Sequence, residues 1–350
     1  MTSGPVSRRT ALVTGAAAAL SLPLARPAAA AAPTWRNVPL PEPASPRTLE
    51  ALAATGPRDI WLLGAEAGLA GALLLRWRGH GWTRSMLPAQ FGVGGNLFAA
   101  SSPRNAWTLR NDWGRASHWD GRQWTEVERP ALRAGDALSA APGTTAWAVM
   151  ENYKVPDYPV LRWENGAWVR QTLPLDRTDE PRRVYVGSSR DIWVTVRTRD
   201  VVPYNLHWDG RDWTKVTTVS PHGSAQELIE VLPVGRRLAW AYRRGSAVPN
   251  GRTLLRWTGG DWEDIPTPEW IDYDPRLASD GRGGVWLGTG NGVGRSQYVN
   301  YNGGEWTTAE GPERNAQDRV YVGAMRNVPG TRTILSIVQT GGVSFVERLG

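Results

Sequence analysis

Beyond residue 47 the chain alternates short apolar runs with clusters of Gly, Pro, Asn and Asp. Within the runs, large apolar side chains recur at every second position, as with Trp61 and Leu63 in PRDIWLLG (57–64) and Trp107 and Leu109 in PRNAWTLR (103–110). A period of two bounded by turn formers reads as β-strand. No stretch after residue 32 sustains the three-to-four spacing of an amphipathic helix, so the predicted class is all-β.

The strands recur as a set. An aromatic, four turn-forming residues and a tryptophan appear as RWRGHGW (76–82), HWDGRQW (118–124), RWENGAW (162–168), HWDGRDW (207–213), RWTGGDW (256–262) and NYNGGEW (300–306). Ahead of each lies a polar turn and an apolar run centred on one tryptophan: Trp61, Trp107, Trp147, Trp193, Trp240 and Trp286. A seventh run, TRTILSIV, places Ile334 at the equivalent position, and successive centres lie 40 to 48 residues apart. A further apolar segment precedes each centre, as in NLFAASS, RRVYVGSS and DRVYVGAM. Four strands in about 45 residues is the content of one β-propeller blade.

The ends complete the count. The last unit runs from about Asp318 to GVSFVERLG and lacks its terminal tryptophan segment, whereas PTWRNVPLP near the other end, with Trp35, matches GWTRSMLP (81–88) and AWVRQTLP (167–174). The expectation is a seven-bladed β-propeller of four-stranded antiparallel blades, closed by pairing the N-terminal strand with the three C-terminal ones. Closure removes the sheet edges that otherwise invite aggregation.

Residues 1–31 stand apart. Two arginines, an apolar stretch from Ala11 to Ala25 and runs of alanine read as a cleavable export signal, cut after Ala30 or Ala31 because Pro33 disfavours cleavage after Ala32. The stretch is shorter than the ~18 apolar residues that span a bilayer. Ser7-Arg8-Arg9-Thr10-Ala11-Leu12 resembles the twin-arginine export motif, with alanine where phenylalanine is usual; general secretion is the second route. The predicted division is therefore 1–31 signal and 32–350 a single propeller, secreted or associated with the cell envelope. Without the signal the 40 basic residues fall to 37 against 33 acidic ones, a balance of +4 in place of +7. That is no nucleic-acid footprint, which needs lysine and arginine clustered on one face.

From about Pro33 onward the chain resembles exported bacterial, especially actinobacterial, seven-bladed propellers whose repeats read D-x-W in the second strand and H-W-D-G-x-x-W across the third and fourth. The resemblance implies the fold; propellers host binding, scaffolding and catalysis alike.

With no cysteine, thiol nucleophiles, disulfides and thiolate zinc sites are excluded, and the four histidines are not paired for a metal, so neither metal nor cofactor is expected. His118 and His207 share their slot with Arg76, Arg162, Arg256 and Asn300, which reads as a solvated strand position. Asp209-Gly210 and its counterparts are turn dipeptides. The tryptophans flanking these turns read as packing between blades.

Candidate function lies where the repeats differ, on the loops joining second to third strands and those joining blades, since binding residues favour loops on a rigid scaffold. Their candidate ligand-binding residues are Trp113, Arg115, Tyr153, Tyr158, Arg197, Arg199, Tyr204, Arg243, Arg244, Trp270, Tyr273 and Arg314. Aromatic planes supply area for a sugar ring or peptide side chain, and arginine forks bind carboxylate or phosphate. The predicted partner is an anionic glycan, a cell-wall polymer or a protein, bound by a monomer. The alternative is a hydrolase or lyase acting on a polysaccharide or small molecule, with a carboxylate pair drawn from Glu151, Asp157, Asp179, Glu180, Asp272 and Asp274.

Overall fold

The computed structural model describes Met1 and residues 34–42, 47–68, 71–88, 96–110, 116–128, 133–151, 159–176, 178–198, 204–218, 228–244, 252–268, 271, 275–290 and 292–350. The unit Pro33–Gly350 is built of strands alone among these residues. No helix of the described residues is long and apolar enough to cross a membrane.

The closing strand is β1 (Trp35–Asn37). Blade 1 holds β2 (Arg47–Gly56), β3 (Asp59–Glu66), β4 (Leu73–Trp77) and β5 (Trp82–Met86). Blade 2 holds β6 (Asn96–Ser102), β7 (Asn105–Arg110), β8 (Ala116–Trp119) and β9 (Trp124–Val127). Blade 3 holds β10 (Arg133–Ser139), β11 (Trp147–Glu151), β12 (Val160–Glu164) and β13 (Ala167–Arg170). Blade 4 holds β14 (Glu180–Ser188), β15 (Asp191–Arg197), β16 (Tyr204–Trp208) and β17 (Trp213–Thr217). Blade 5 holds β18 (Leu228–Gly235), β19 (Leu238–Arg244), β20 (Arg252–Trp257) and β21 (Trp262–Ile265). Blade 6 holds β22 (Arg276–Ser279), β23 (Val285–Gly288), β25 (Gln297–Asn302) and β26 (Glu305–Glu310), and the two-residue β24 (Gly292–Val293) lies in the loop between β23 and β25. Blade 7 holds β27 (Arg319–Asn327), β28 (Ile334–Thr340) and β29 (Val343–Leu349).

Each blade is an antiparallel meander, and β1 adds to β29 in the register Trp35↔Leu349, so the ring closes as the sequence predicts. The register also corrects one alignment. Trp61 faces Arg76 across its blade, and the matching pair in blade 7 is Leu335 and Arg348, so Leu335 rather than Ile334 takes the tryptophan's place. An element absent from the sequence reading is β24, which leaves the 289–296 loop of blade 6 to pair with β27, Gly292 opposite Val320.

Blade interfaces form the core. The strand-two tryptophan of one blade meets the turn aromatics of the next: Trp61 lies 6.1 Å from Trp119, Trp147 6.0 Å from Trp213, Trp193 5.1 Å from Trp262 and Trp240 5.7 Å from Tyr301. Such offset and edge contacts add to the area the rings bury. The turn tryptophans are thus inter-blade packing, as expected.

The slot ahead of those turns is solvated at Arg162 and Arg256, as expected, but not at Arg76 and His207. Arg76 and His207 are buried, because alternation turns them away from one neighbouring blade and onto the next. Arg76 donates twice to Asp59 Oδ1, at 2.9 and 2.8 Å, with its guanidinium 3.7 Å from the Trp61 ring centroid. His207 stacks on Trp193 at 4.1 Å with Nε2 3.1 Å from Asp191, and His118 Nε2 lies 2.5 Å from Asn105 Oδ1. The D-x-W motif thus supplies the acceptor for the slot residue one strand away. Where that acceptor is missing, at Thr145 and Leu238, Arg162 and Arg256 keep side-chain exposures of 45% and 49%.

Candidate functional site

Antiparallel order places the second-to-third-strand loops and the blade-to-blade loops at one end of the ring and the two tight turns at the other. Of the twelve candidates, Trp113, Arg115, Tyr153, Tyr158, Arg199, Trp270 and Tyr273 lie outside the described residues. Arg244 is placed as the last residue of β19. Arg197 ends β15, is exposed, and has no ion-pair partner among the described residues.

The other three are tied into the protein. Tyr204 is buried at the start of β16, where its hydroxyl donates to Asp179 and accepts the Asp176 N–H at 3.4 Å. Lys215 braces the same cluster, 2.6 Å from Asp176 Oδ2 and 4.4 Å from the Tyr204 ring centroid. Arg243 is buried and donates to Asp264 Oδ2 at 3.0 Å. Arg314 donates to Glu347 Oε1 at 2.8 Å and to Asn37 Oδ1 at 2.7 Å, with its guanidinium 4.0 Å from the Phe345 ring centroid. These side chains secure the loop-bearing end, a role that pairing partners up to 277 positions apart kept out of local sequence patterns.

Burial, reinforced by the hydrogen bond to Asp179, pushes the Tyr204 phenol up to about 12. Burial and the nearby Glu347 carboxylate also raise Tyr298 well above its ordinary range. A phenol whose folded pKa exceeds its unfolded value of about 10 stabilises the fold fully below pH 10, and that contribution is lost as pH rises through 10 toward 12. Denaturant melts across pH 9 to 12 should therefore show falling stability. Tyr204→Phe should flatten the fall, and an unchanged slope would contradict the assignment.

Among the acids proposed for catalysis, Asp179 accepts the Tyr204 hydroxyl and Glu180 lies 3.9 Å from Arg182. Glu151 ends β11, and Asp157, Asp272 and Asp274 lie outside the described residues. No group of three His, Asp or Glu side chains among the described residues could hold a metal ion.

The cavities of the described residues are on the inner strands and between blades. A channel of about 320 Å³ runs between the inner strands, with small residues such as Ala53, Ala99, Ser139 and Gly187 in its wall. Glu230, also in that wall, accepts the Leu277 N–H at 3.0 Å and lies 3.5 Å from Arg276, tying blade 5 to blade 6. Two grooves open at the tight-turn end, one of about 730 Å³ between blades 4 and 5 and one of about 400 Å³ between blades 3 and 4. The sequence signal for the larger groove is the arginines of these turns, Arg190 and the pair Arg236-Arg237.

Comparison with known proteins agrees on the architecture. No protein-family model matches the chain, and no curated protein matches it in sequence. Among solved structures it is similar to YCF48 bound to D1 peptide, with 15% identity, a TM-score of 0.59 and coverage of 90% of this chain and 96% of that one. It is also similar to the β-propeller domain of the Trilobed protease from Pyrococcus furiosus, at 10% identity and TM-score 0.56, covering 87% of this chain and 96% of that one. A third likeness is to the GH74 xyloglucanase from Xanthomonas campestris, at 15% identity and TM-score 0.53, covering 84% of this chain and 52% of that one. At these identities the likeness is one of fold: the chain is a seven-bladed β-propeller.

Proposed function

We propose that this chain is an exported propeller that binds an anionic glycan, a cell-envelope polymer or a protein on its loop-bearing end. The observation that carries this reading is the contrast between the two parts of the molecule. The blades are closed, internally paired scaffolds, while the loops that vary in length and are rich in arginine and aromatic residues all leave from one end. Arg197, exposed at that end with no carboxylate partner among the described residues, is of the type that grips anionic oxygens. A propeller of similar fold is known with a peptide bound, which is consistent with a protein ligand. Residues 1–31 supply the export signal in this reading, and the ligand is then met outside the cytoplasm.

Glycan arrays and pull-downs with isolated cell-wall material would test it. Replacing Arg197, Arg199, Trp270 and Tyr273 together should lower retention about tenfold or more, as expected from losing charge-assisted hydrogen bonds and aromatic contacts. Equal retention by this variant would remove the loop end as the binding surface.

A further inference from the structure

The groove between blades 4 and 5 lies at the opposite end from the variable loops, beside the slot residue of blade 4. In blade 1 the slot arginine crosses the interface, Arg76 Nη2 donating to the Pro103 carbonyl of blade 2 at 2.6 Å. In blade 4 the slot holds His207, which is shorter and whose Nε2 stops at Asp191 within its own blade. A cavity of about 730 Å³ opens beside it.

The wall of that cavity includes a tryptophan of blade 5. The tryptophans that precede the outer turns of blades 1, 2 and 4 each donate their indole N–H to the inner-turn carbonyl of their own blade: Trp77 to Pro57 at 3.1 Å, Trp119 to Pro103 at 3.1 Å and Trp208 to Ser189 at 3.2 Å. Trp257 occupies the same position in blade 5 and is only 4% exposed, yet its Nε1 has no acceptor. That nitrogen is itself enclosed, as are the unpaired indole nitrogens of Trp35, Trp107, Trp168, Trp240 and Trp262, so Trp257 gives the groove a ring wall and no donor.

The rim supplies charge. Arg190, Arg236 and Arg237 line the groove, and none has an ion-pair partner among the described residues. Two of them are held in place. The Arg190 stem lies against Gly210 and the Arg237 stem against Gly259, so close that a Cβ on either glycine would come within 2.5 and 3.1 Å. Both glycines have positive φ, 100° and 97°, so the turn and the arginine stem require the same residue. Asp209 and Asp261 stand on the same rim, and Asp209 Oδ1 is committed to the N–H groups of Arg211 and Asp212 at 2.8 and 2.9 Å.

We propose that this groove binds one acidic sugar unit of an anionic glycan, its carboxylate, sulfate or phosphate held by Arg190, Arg236 and Arg237 and its hydroxyls by Asp209 and Asp261. Guanidinium forks match planar or tetrahedral oxyanions, and the interleaved carboxylates accept the hydroxyls that a sugar ring presents. The volume falls within the range of small-ligand sites, and the mix of donors and acceptors suits a polyhydroxylated ring better than an apolar peptide side chain. This site is separate from the loop-bearing end and does not depend on the function proposed for it.

The test is titration of the purified protein with oligogalacturonate, sulfated dextran oligomers and glycerol-phosphate oligomers, with a neutral oligogalactoside as control. Calorimetry gives the affinity, and tryptophan fluorescence reports on the groove. At least one anionic series should bind and the neutral one should not, and which series binds best identifies the anion. R190Q/R236Q/R237Q changes only rim side chains and should weaken binding about tenfold or more. The loop-end variant should leave binding here unchanged. The site would be overturned by absence of binding of every anionic series up to about 1 mM, where the free energy is only about −4 kcal/mol, or by equal affinity in the rim variant. Loss confined to the loop-end variant would assign the anion to the other face.

Discussion

Removing residues 32–42 from a chain that starts at Ala32 should strongly destabilise the fold, although it deletes only three paired strand residues. Trp35 accounts for most of the effect. It is 4% exposed, stacks on Tyr298 with ring centroids 3.6 Å apart and meets Trp286 edge-on at 6.0 Å, so it belongs to the interface with blade 6 as much as to its own sheet. Beyond the strand, Val38 donates its N–H to Val346 at 2.8 Å, and Val38 and Leu40 pack on the interface between blades 7 and 1. Losing a buried tryptophan alone costs about 3–5 kcal/mol. Total stability is only roughly 5–15 kcal/mol for a typical domain. The deletion also bares the edge of β29, a template for intermolecular pairing. Calorimetry should show a melting temperature lowered by at least roughly 10 °C, and light scattering should show aggregation. A truncated chain that melts like its parent would contradict closure through β1.

Glu347→Ala should be nearly as damaging. The Glu347 side chain is wholly buried in β29, where Oε2 accepts from Ser296 at 2.6 Å and Tyr298 at 2.8 Å while Oε1 accepts from Arg314 at 2.8 Å. Gly311 lies against this cluster, its missing Cβ leaving room for the carboxylate, since a Cβ there would sit 2.3 Å from Oε2. The carboxylate therefore joins blade 6, the loop after it and the closing blade at one point. Removing it takes the counter-charge from the buried Arg314 guanidinium and an acceptor from two hydroxyls, and breaking a buried pair in this way costs about 3–5 kcal/mol. The double variant Glu347→Ala/Arg314→Ala should be less destabilised than the sum of the single ones, because the second change removes the unpaired charge that the first creates. Strict additivity in denaturant melts would show that the pair does not act as a unit.

Both predictions concern a seam whose existence, though not its chemistry, is legible in the sequence. Trp35 can be matched to Trp82 and Trp168 because all three precede a short polar run ending in Leu-Pro. Glu347 carries no such signal: it sits in SFVERL, where a single acid in an alternating strand reads as solvent-facing. Arg314 was drawn toward the candidate ligand site by its place in a loop, and Arg243 and Tyr204 likewise. Their partners, Glu347, Asp264 and Asp179, lie on strands or loops that come together only in the ring. His207 shows the same limit in another form. Alternation sets it opposite Trp208 correctly, but the face it reaches is covered by blade 5 and not by water.

By itself the sequence determined the number of blades, the positions of their turns, the identity of the inter-blade aromatics and the split closing blade. Those features follow from local periodicity and turn chemistry, which act over a few residues and repeat along the chain. Only the tertiary structure decided which polar side chains are consumed internally, that a loop strand reaches the closing blade, and that arginines from the turns of blades 4 and 5 line one groove. Each of these depends on side chains brought together from neighbouring blades or from the two ends of the chain, whose burial and reach no local pattern encodes.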